Sequence, residues 1–359
     1  MKYLFKQFNK NTILDFLIIM FLSHIFYRFT FIETLQNEFS LISQIKNNNV
    51  TSKSFFVESP TFTLICLVFG IENFDIYKIL VYFITLISLF LIVVNIQHLE
   101  HYSTFFLFSG WLVSCSWFIG FVDVISVLLM VLISKNILKE KVNLIKIGTY
   151  FLFLSLNHNA ISIGVTLIYL ILSKKENVIK VASVIIPTQL IGNLLINYYL
   201  NIIKFPGRGK FRFVFNDNVI ESASSFVGSN LILVLWSGFL GTSLIFILIF
   251  NMLTWQEIRK ILSSILIALF FTSIALDTSR VFSLLVVPII IYSLNIFNND
   301  INFINKLPIS YTLSFLLFVV VGVYHFFGVV YTTSPMNEVE SFYDFIPRII
   351  NSLMSNIWK

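Results

Sequence analysis

Acidic and basic side chains that suit phosphate chemistry lie at the ends of long apolar stretches in this chain. Asp277 and Arg280 lie between the apolar runs 261–276 and 281–298. A charge buried in hydrocarbon costs roughly 2.5–3.5 kcal/mol even on the most lenient scale, so such a pair belongs at a membrane surface or in a polar cavity. Three residues apart on a helix, the two side chains share a face. The pair is either a helix cap with a local ion pair, or an arginine that grips a phosphate while Asp277 orients it.

Further acids adjoin apolar stretches and are candidate general bases. Glu33 and Glu38 follow the first apolar stretch, where a carboxylate can accept a proton from a hydroxyl group or bind a divalent cation. Glu33 is the stronger candidate because it lies closer to that stretch. Their structural alternative is a charge in a solvated loop, or a cap on a short surface helix. Asp123 begins a purely apolar helix, where it either caps the helix or faces the protein interior.

A histidine and a basic loop complete the candidate groups. His158 lies between two asparagines at the turn of a helical hairpin, where it hydrogen-bonds a phosphate, relays a proton, or serves only the turn. The loop after residue 205 lacks the glycine spacing of a Walker motif. Its cationic side chains suit the phosphate of a lipid-linked group, with anionic headgroups as the alternative ligand. These side chains are Arg208, Lys210 and Arg212.

The elements that must position these groups are transmembrane helices. The chain is 57% hydrophobic and only 12% charged, with a mean hydropathy of +0.88, which excludes an ordinary soluble domain. Apolar stretches recur along the whole length, so one cleaved signal peptide cannot account for them. The net charge of +6 comes from lysines scattered over short loops, which indicates membrane topology rather than affinity for nucleic acid.

The pattern predicts an all-α bundle of about 11 spans that forms one integral-membrane domain over residues 1–359. A further apolar segment, 60–71, is too short to cross a bilayer comfortably and is expected to be a juxtamembrane or re-entrant helix. The expected spans are 13–31, 77–97, 103–119, 121–136, 145–157, 159–173, 179–201, 226–252, 260–276, 281–298 and 308–330.

The lysines orient this bundle. If 60–71 does not cross, every lysine-rich short loop falls on the cytoplasmic side together with the N-terminal residues 1–12, as the positive-inside rule requires. The opposite face then collects the first outer loop 32–76, the basic outer loop 202–225 and an amphipathic C-terminal segment 331–359. All candidate groups named above fall on that outer face. We therefore expect a multi-pass protein of a bacterial inner membrane with an extracytoplasmic site.

The order of these pieces resembles the GT-C superfamily of integral-membrane glycosyltransferases. In that family a first span leads to an outer loop with a catalytic acid near its start, and a juxtamembrane helix that opens with proline follows. Here that order is Glu33, then Glu58-Ser59-Pro60, then a short apolar helix. Gly120-Phe121-Val122-Asp123 looks like the family's second acid, and Asp277 to Arg280 before Pro288 looks like its late charged pair. The chain departs from the family in having Pro60 alone where paired prolines are common, and no second acid beside Glu33.

The resemblance implies transfer of a sugar from a polyprenyl-phosphate donor to a saccharide, lipid or protein acceptor. Glu33 or Asp123 would deprotonate the acceptor hydroxyl, and Arg280, with Arg208 or Arg212, would stabilise the departing phosphate. Glu58 would join the substrate-binding groups. The sequence leaves room for Mg²⁺ or Mn²⁺ between acids without requiring it. Two alternatives remain open: a polysaccharide polymerase of similar layout, and a transporter or flippase of lipid-linked saccharides.

Overall fold

The chain folds into helices joined by short turns, with no strand among the residues that the structure describes. In this computed structural model the described residues are 13–19, 32–50, 59–117, 122–139, 141–205, 217–244, 246, 253–275, 278–297 and 312–317. The expected all-α architecture is confirmed. The helices are α1 (Ile32–Lys46), α2 (Thr61–Phe69), α3 (Phe74–Ile96), α4 (Ser103–Leu107), α5 (Gly110–Trp117), α6 (Asp123–Ile137), α7 (Leu144–Asn157), α8 (Asn159–Leu172), α9 (Val178–Ile202), α10 (Asp217–Ser229), α11 (Leu231–Phe239), α12 (Trp255–Ser273), α13 (Thr278–Leu285) and α14 (Val287–Phe297).

The packing order explains where the core lies. Helix α6 packs between α3 and α7, α7 packs on α9, and α8 packs on α12. Helix α13 packs against α5, α11 and α12. The largest cluster of buried apolar side chains runs through these helices and includes Trp111 and Phe282, both fully buried. A second cluster joins α1, α2 and α3 around Phe62 and Tyr77.

Two helices among the described residues are long and apolar enough to cross a membrane, Phe74–Leu99 and Val178–Ile202, judged by length and composition. Three shorter apolar helical segments cover Leu144–Asn157, Asn159–Leu172 and Arg280–Ile296. The expected number of about 11 spans therefore stays a prediction.

Three of the expected spans are divided rather than continuous. In 281–298 only Val286 separates α13 from α14, and the helical hydrogen bonds continue across it. The other two spans are broken more fully. The stretch 103–119 forms α4 and α5 with a break at Phe108 and Ser109, and 226–252 is divided at Asn230 and again at a 3₁₀ turn over Leu240–Thr242. The breaks pack against each other, since Thr242 donates through its amide to the Phe108 carbonyl and through its hydroxyl to the Phe105 carbonyl.

Side chains at the same place satisfy the backbone that the first break exposes. The indole Nε1–H of Trp111 donates to the Phe106 carbonyl at 2.8 Å. A Cβ on Gly110 would lie 1.9 Å from the Ser237 carbonyl oxygen, so only glycine allows α11 to approach this closely. Hydropathy alone could not reveal these breaks, because irregular backbone inside apolar sequence is tolerated wherever protein groups replace the missing helix bonds.

The stretch 32–76, the expected first outer loop, is largely helical where the structure describes it. Helix α2 has only nine residues, so at about 1.5 Å per residue it is far shorter than a bilayer core, as expected for 60–71. Gly70 ends it in the left-handed conformation at φ 62°. Much of the loop is the 15-residue helix α1, and the expected basic loop 202–225 contains the start of α10. The N-terminal residues 1–12 and the segment 331–359 lie outside the described residues.

Candidate functional site

The carboxylate of Asp123 and the guanidinium of Arg280 form a two-pronged ion pair. Arg280 Nε donates to Asp123 Oδ2 at 2.6 Å, and Nη2 donates to Oδ1 at 2.8 Å. The pair lies in the interior, since the side chains of Asp123 and Arg280 are 1% and 14% exposed. The parallel donors of an arginine match the two oxygens of a carboxylate, which makes this the strongest geometry for such a pair.

His158 joins the same carboxylate. Its Nε2–H donates to Asp123 Oδ1 at 2.7 Å, and its side chain is 9% exposed. Asp123 thus accepts three hydrogen bonds from two side chains that are distant in sequence. The sequence also allowed His158 a purely local role in its turn. Its ring reaches the Asp123 carboxylate, a contact that the turn itself does not require.

The ends of four helices bring these groups together. Asp123 is the first residue of α6, and its carboxylate does not cap that helix, because Val122 is the N-cap and makes no side-chain cap bond. His158 is the single non-helical residue between α7 and α8. Arg280 lies in the first turn of α13. The charges therefore lie at helix ends, where they were expected, but they point into the protein.

The expected local pairing of Arg280 with Asp277 falls on a residue outside the described ones. The described hydrogen bonds of the Arg280 guanidinium go to Asp123. Four other predicted site residues also lie outside the described part of the chain: Glu58, Arg208, Lys210 and Arg212. Glu33 lies in α1, but its side chain is not among those described.

The two asparagines that flank His158 bond polar side chains of other helices, and sequence reasoning did not single out these partners. The Thr61 hydroxyl, at the start of α2, donates to Asn157 Oδ1, which joins the juxtamembrane helix to the residue before His158. On the other side Gln189 Nε2 donates to Asn159 Oδ1 at 3.3 Å and to Asn193 Oδ1 at 3.2 Å. A glutamine near the middle of a predicted span, four residues before an asparagine, was the signal that could have revealed Gln189, because polar side chains in a span seek partners inside the protein.

Glu38 is buried, although the sequence suggested an exposed charge in a loop or at the cap of a surface helix. Its side chain faces the second apolar cluster, and the residue is 2% exposed. Burial raises the pKa of Glu38 from 4.5 to about 8, and the neighbouring Tyr77 hydroxyl lowers it only in part. Glu38 is thus neither a solvated loop charge nor an exposed cap, and near neutral pH it holds its proton.

A third buried acid, Asp15, belongs to a separate polar cluster. Asp15 accepts hydrogen bonds from Gln97, Ser103 and Thr104 at 2.8–3.0 Å. Its residue is 1% exposed, and these three donors belong to the segment that follows α3. Because its oxygens are satisfied by neutral donors, Asp15 is well suited to fasten the first apolar stretch to that segment.

The contacts of Asp123 test whether this site could bind the divalent cation that the sequence allows. Among the described residues no group of three or more histidine, cysteine, aspartate or glutamate side chains could hold a metal ion. Arg280 already places a positive charge on both Asp123 oxygens, so a divalent cation there would meet repulsion. The described residues do not fit Mg²⁺ or Mn²⁺, and no step below uses one.

Chemically, this arrangement fixes an arginine rather than exposing a base. Asp123 offers its oxygens to Arg280 and His158, which leaves it poorly placed to take a proton from an acceptor hydroxyl. The two hydrogen bonds from Arg280 to this carboxylate instead hold the plane of the guanidinium in one orientation at the start of α13. Comparisons of the chain with protein-family models, with curated proteins and with solved structures give no match.

Proposed function

We propose that this protein is a membrane glycosyltransferase that moves a sugar from a polyprenyl-phosphate donor to an acceptor on the extracytoplasmic face. The observation that carries the proposal is the union of Asp123, His158 and Arg280 in one buried network. Each was selected from the sequence as a phosphate- or proton-handling group, and they come from three separate regions of the chain. Helix caps and turns act locally, so residues that served only those roles would not be expected to meet in one network.

The membrane setting of the proposal is supported by apolar stripes on the outside of the helices. On α9 the side chains at every fourth position, Leu190, Leu194 and Tyr198, are 58–68% exposed. Helix α12 has a similar stripe with Leu266 and Phe270. Exposed apolar faces of this extent are unfavourable in water and are expected where helices contact lipid tails. A multi-pass bundle with a cytoplasmic N-terminus is the arrangement that these stripes and the lysine distribution favour.

In the proposed reaction the acceptor hydroxyl oxygen attacks the anomeric carbon of the donor sugar. The bond from that carbon to the phosphate oxygen breaks, and the polyprenyl phosphate leaves with the bonding electron pair. Arg280 would stabilise the charge that develops on this phosphate, and Asp123 would keep the guanidinium in position for it. His158 would fix the other side of the Asp123 carboxylate.

The acceptor proton needs a base, and Glu33 is the residue we propose for it. Asp123 already accepts three hydrogen bonds, which favours a positioning role for it. Glu33 belongs to α1, which packs on α2, and Thr61 at the start of α2 contacts the residue beside His158. This chain of contacts links the helix of the proposed base to the network of the proposed phosphate grip.

A competing explanation is that the network only joins helices. Buried ion pairs often contribute little net stability, and removal of one partner is costly whether or not the pair has a function. Loss of folding in a variant would therefore not distinguish the two explanations. The deciding measurement must be a chemical step in protein that is still folded.

The test is transfer of radiolabelled sugar from a panel of polyprenyl-phosphate sugars by purified protein in lipid nanodiscs. Arg280→Lys keeps the positive charge and loses the fork, so we expect transfer to fall by about 100-fold or more, typical of losing one preorganised charge-stabilising group. Glu33→Gln is expected to abolish transfer while donor binding persists. Arg259→Lys is the matched control, because Arg259 is exposed and stacks on Trp255 outside the network. Equal transfer by all four proteins would rule the proposal out.

A further inference from the structure

A cavity of about 410 Å³ lies at the far end of α6 from Asp123. It is lined by residues at the C-terminal ends of α6 and α8 and just after them, and by residues of α12 and α14. Helix α6 has 15 residues from Asp123 to Ile137, so a rise of 1.5 Å per step places the cavity about 21 Å from the network described above. Its volume is in the range of small-molecule sites.

The polar wall of the cavity is rich in hydrogen-bond donors. Lys174, Lys260, Tyr292 and Asn295 line it together with one acid, Glu257. Lys260 is held in place, since its Nζ donates to the Ser173 carbonyl at 2.8 Å and lies 5.8 Å from the centre of the Tyr292 ring.

Glu257, the acid on this wall, caps the start of α12. Glu257 Oε2 accepts from the Thr254 amide at 2.8 Å and from the Thr254 hydroxyl at 2.7 Å, in the capping box that starts α12. Its charge is therefore tied to the helix N-terminus, where a carboxylate is favourable. Glu257 keeps its negative charge, so the wall carries two lysines against one carboxylate, and the positive balance favours an anion.

The rest of the wall is aliphatic and includes Leu138, Leu172 and Ile296. A site with ammonium groups beside aliphatic side chains suits an amphiphile whose head is anionic and whose body is apolar. A free phosphate or a sugar phosphate would leave the aliphatic half unused. The lysine distribution assigns this end of the bundle to the cytoplasmic side, where anionic phospholipids are concentrated.

We propose that this cavity binds the phosphate headgroup of an anionic phospholipid from the cytoplasmic leaflet, with Lys174 and Lys260 as the cationic partners. Lys260 is the fixed element, because its contacts to Ser173 and Tyr292 hold it at the wall. Lys174 is exposed at the mouth and closes on the headgroup. The inference rests on the membrane setting and concerns a site separate from the proposed transfer reaction.

The test uses the full chain in phosphatidylcholine nanodiscs with increasing phosphatidylglycerol, and native mass spectrometry counts the bound lipid. We expect Lys174→Gln to weaken phosphatidylglycerol binding about fivefold, as for loss of one lysine near a membrane surface. Lys175→Gln is the matched control: Lys175 is the next residue, is also exposed and does not line the cavity. Its binding is expected to equal that of the wild type.

Three results would overturn the proposal. Equal weakening in Lys174→Gln and Lys175→Gln would mean diffuse attraction to a charged surface. Equal binding of phosphatidylcholine and phosphatidylglycerol would mean that the lysines do not select the headgroup. Displacement of phosphatidylglycerol by an equal concentration of inorganic phosphate would mean a site for soluble anions. Lys260→Gln is a weaker variant for this purpose, because it also removes the hydrogen bond to Ser173.

Discussion

Arg280 and Asp123 are 157 residues apart in sequence, and their side chains meet through two hydrogen bonds of 2.6 and 2.8 Å. The pair joins the start of α13 to the start of α6. His158 completes it from the turn between α7 and α8, so one carboxylate ties four helices at one place.

The first prediction concerns the stability of this ion pair. Arg280→Met leaves the Asp123 carboxylate buried without its cation, and we expect a loss of about 3–5 kcal/mol in the free energy of unfolding. The double variant Asp123→Leu/Arg280→Met removes both charges and is expected to recover most of that loss. Reversible unfolding in mild detergent measures it. Independent, additive effects of the two substitutions would show that the contact is not energetically coupled.

The second prediction separates His158 from the ion pair. His158→Phe keeps a ring of similar size and removes one hydrogen bond to a charged group, so we expect a loss of about 1.5–3 kcal/mol in the free energy of unfolding. On the proposed function, transfer at a temperature where the variant is folded should also fall. His98→Phe is the control, since the His98 ring bonds the Asn95 carbonyl away from this network. Wild-type stability in His158→Phe would contradict the contact.

The third prediction follows from the raised pKa of Glu38. In the folded protein this pKa is about 8, against 4.5 for the ordinary group. The unfolded chain loses the proton near pH 4.5, whereas the folded protein keeps it until about pH 8. The stabilising contribution is therefore complete below pH 4.5, declines as the pH rises and is lost above pH 8.

The measurement is the unfolding temperature at pH 5 and at pH 8.5. We expect the wild type to lose several degrees between the two, and Glu38→Gln to lose much less. Glu72→Gln serves as the control, because Glu72 is an exposed acid paired with Lys46 and titrates below this range. A pH dependence in Glu38→Gln as steep as in the wild type would remove Glu38 as its source.

The fourth prediction tests the orientation of the bundle. Single cysteines at Glu72 and Lys175, both exposed, are introduced into a background with Cys66 and Cys115 replaced by alanine. A membrane-impermeant maleimide applied to intact cells is expected to label position 72 and to label position 175 only after permeabilisation. The reverse pattern would place the Asp123 network on the cytoplasmic face and exclude the proposed extracytoplasmic reaction.

The fifth prediction concerns the contact between α2 and the network. Thr61→Val removes the hydroxyl that donates to Asn157 Oδ1, and on the proposed function we expect lower transfer with little change in the unfolding temperature. Thr63→Val is its counterpart on the same helix, since the buried Thr63 hydroxyl has no hydrogen-bond partner among the described residues. The same effect of both substitutions would mean that α2 tolerates no change, rather than that the Thr61 contact matters.

The local features of the sequence predicted much of the fold. The short helix after Pro60, the helix that begins at Asp123 and the hairpin turn at His158 all lie where expected. Hydropathy could not foresee the breaks near Ser109 and Asn230. The carbonyls exposed at the first of these accept hydrogen bonds from Trp111 and Thr242, and Thr242 is far away in the chain.

The sequence by itself determined that the chain is helical, and that its few charges fall at the ends of apolar stretches, because charge and hydropathy are local properties. Local spacing suggested the neighbouring Asp277 as a partner for Arg280, a pairing that lies outside the described residues. The tertiary structure decided that Arg280 meets Asp123 and that Glu38 is buried. Such choices depend on which helix ends pack together, and a buried carboxylate takes the cation that this packing supplies.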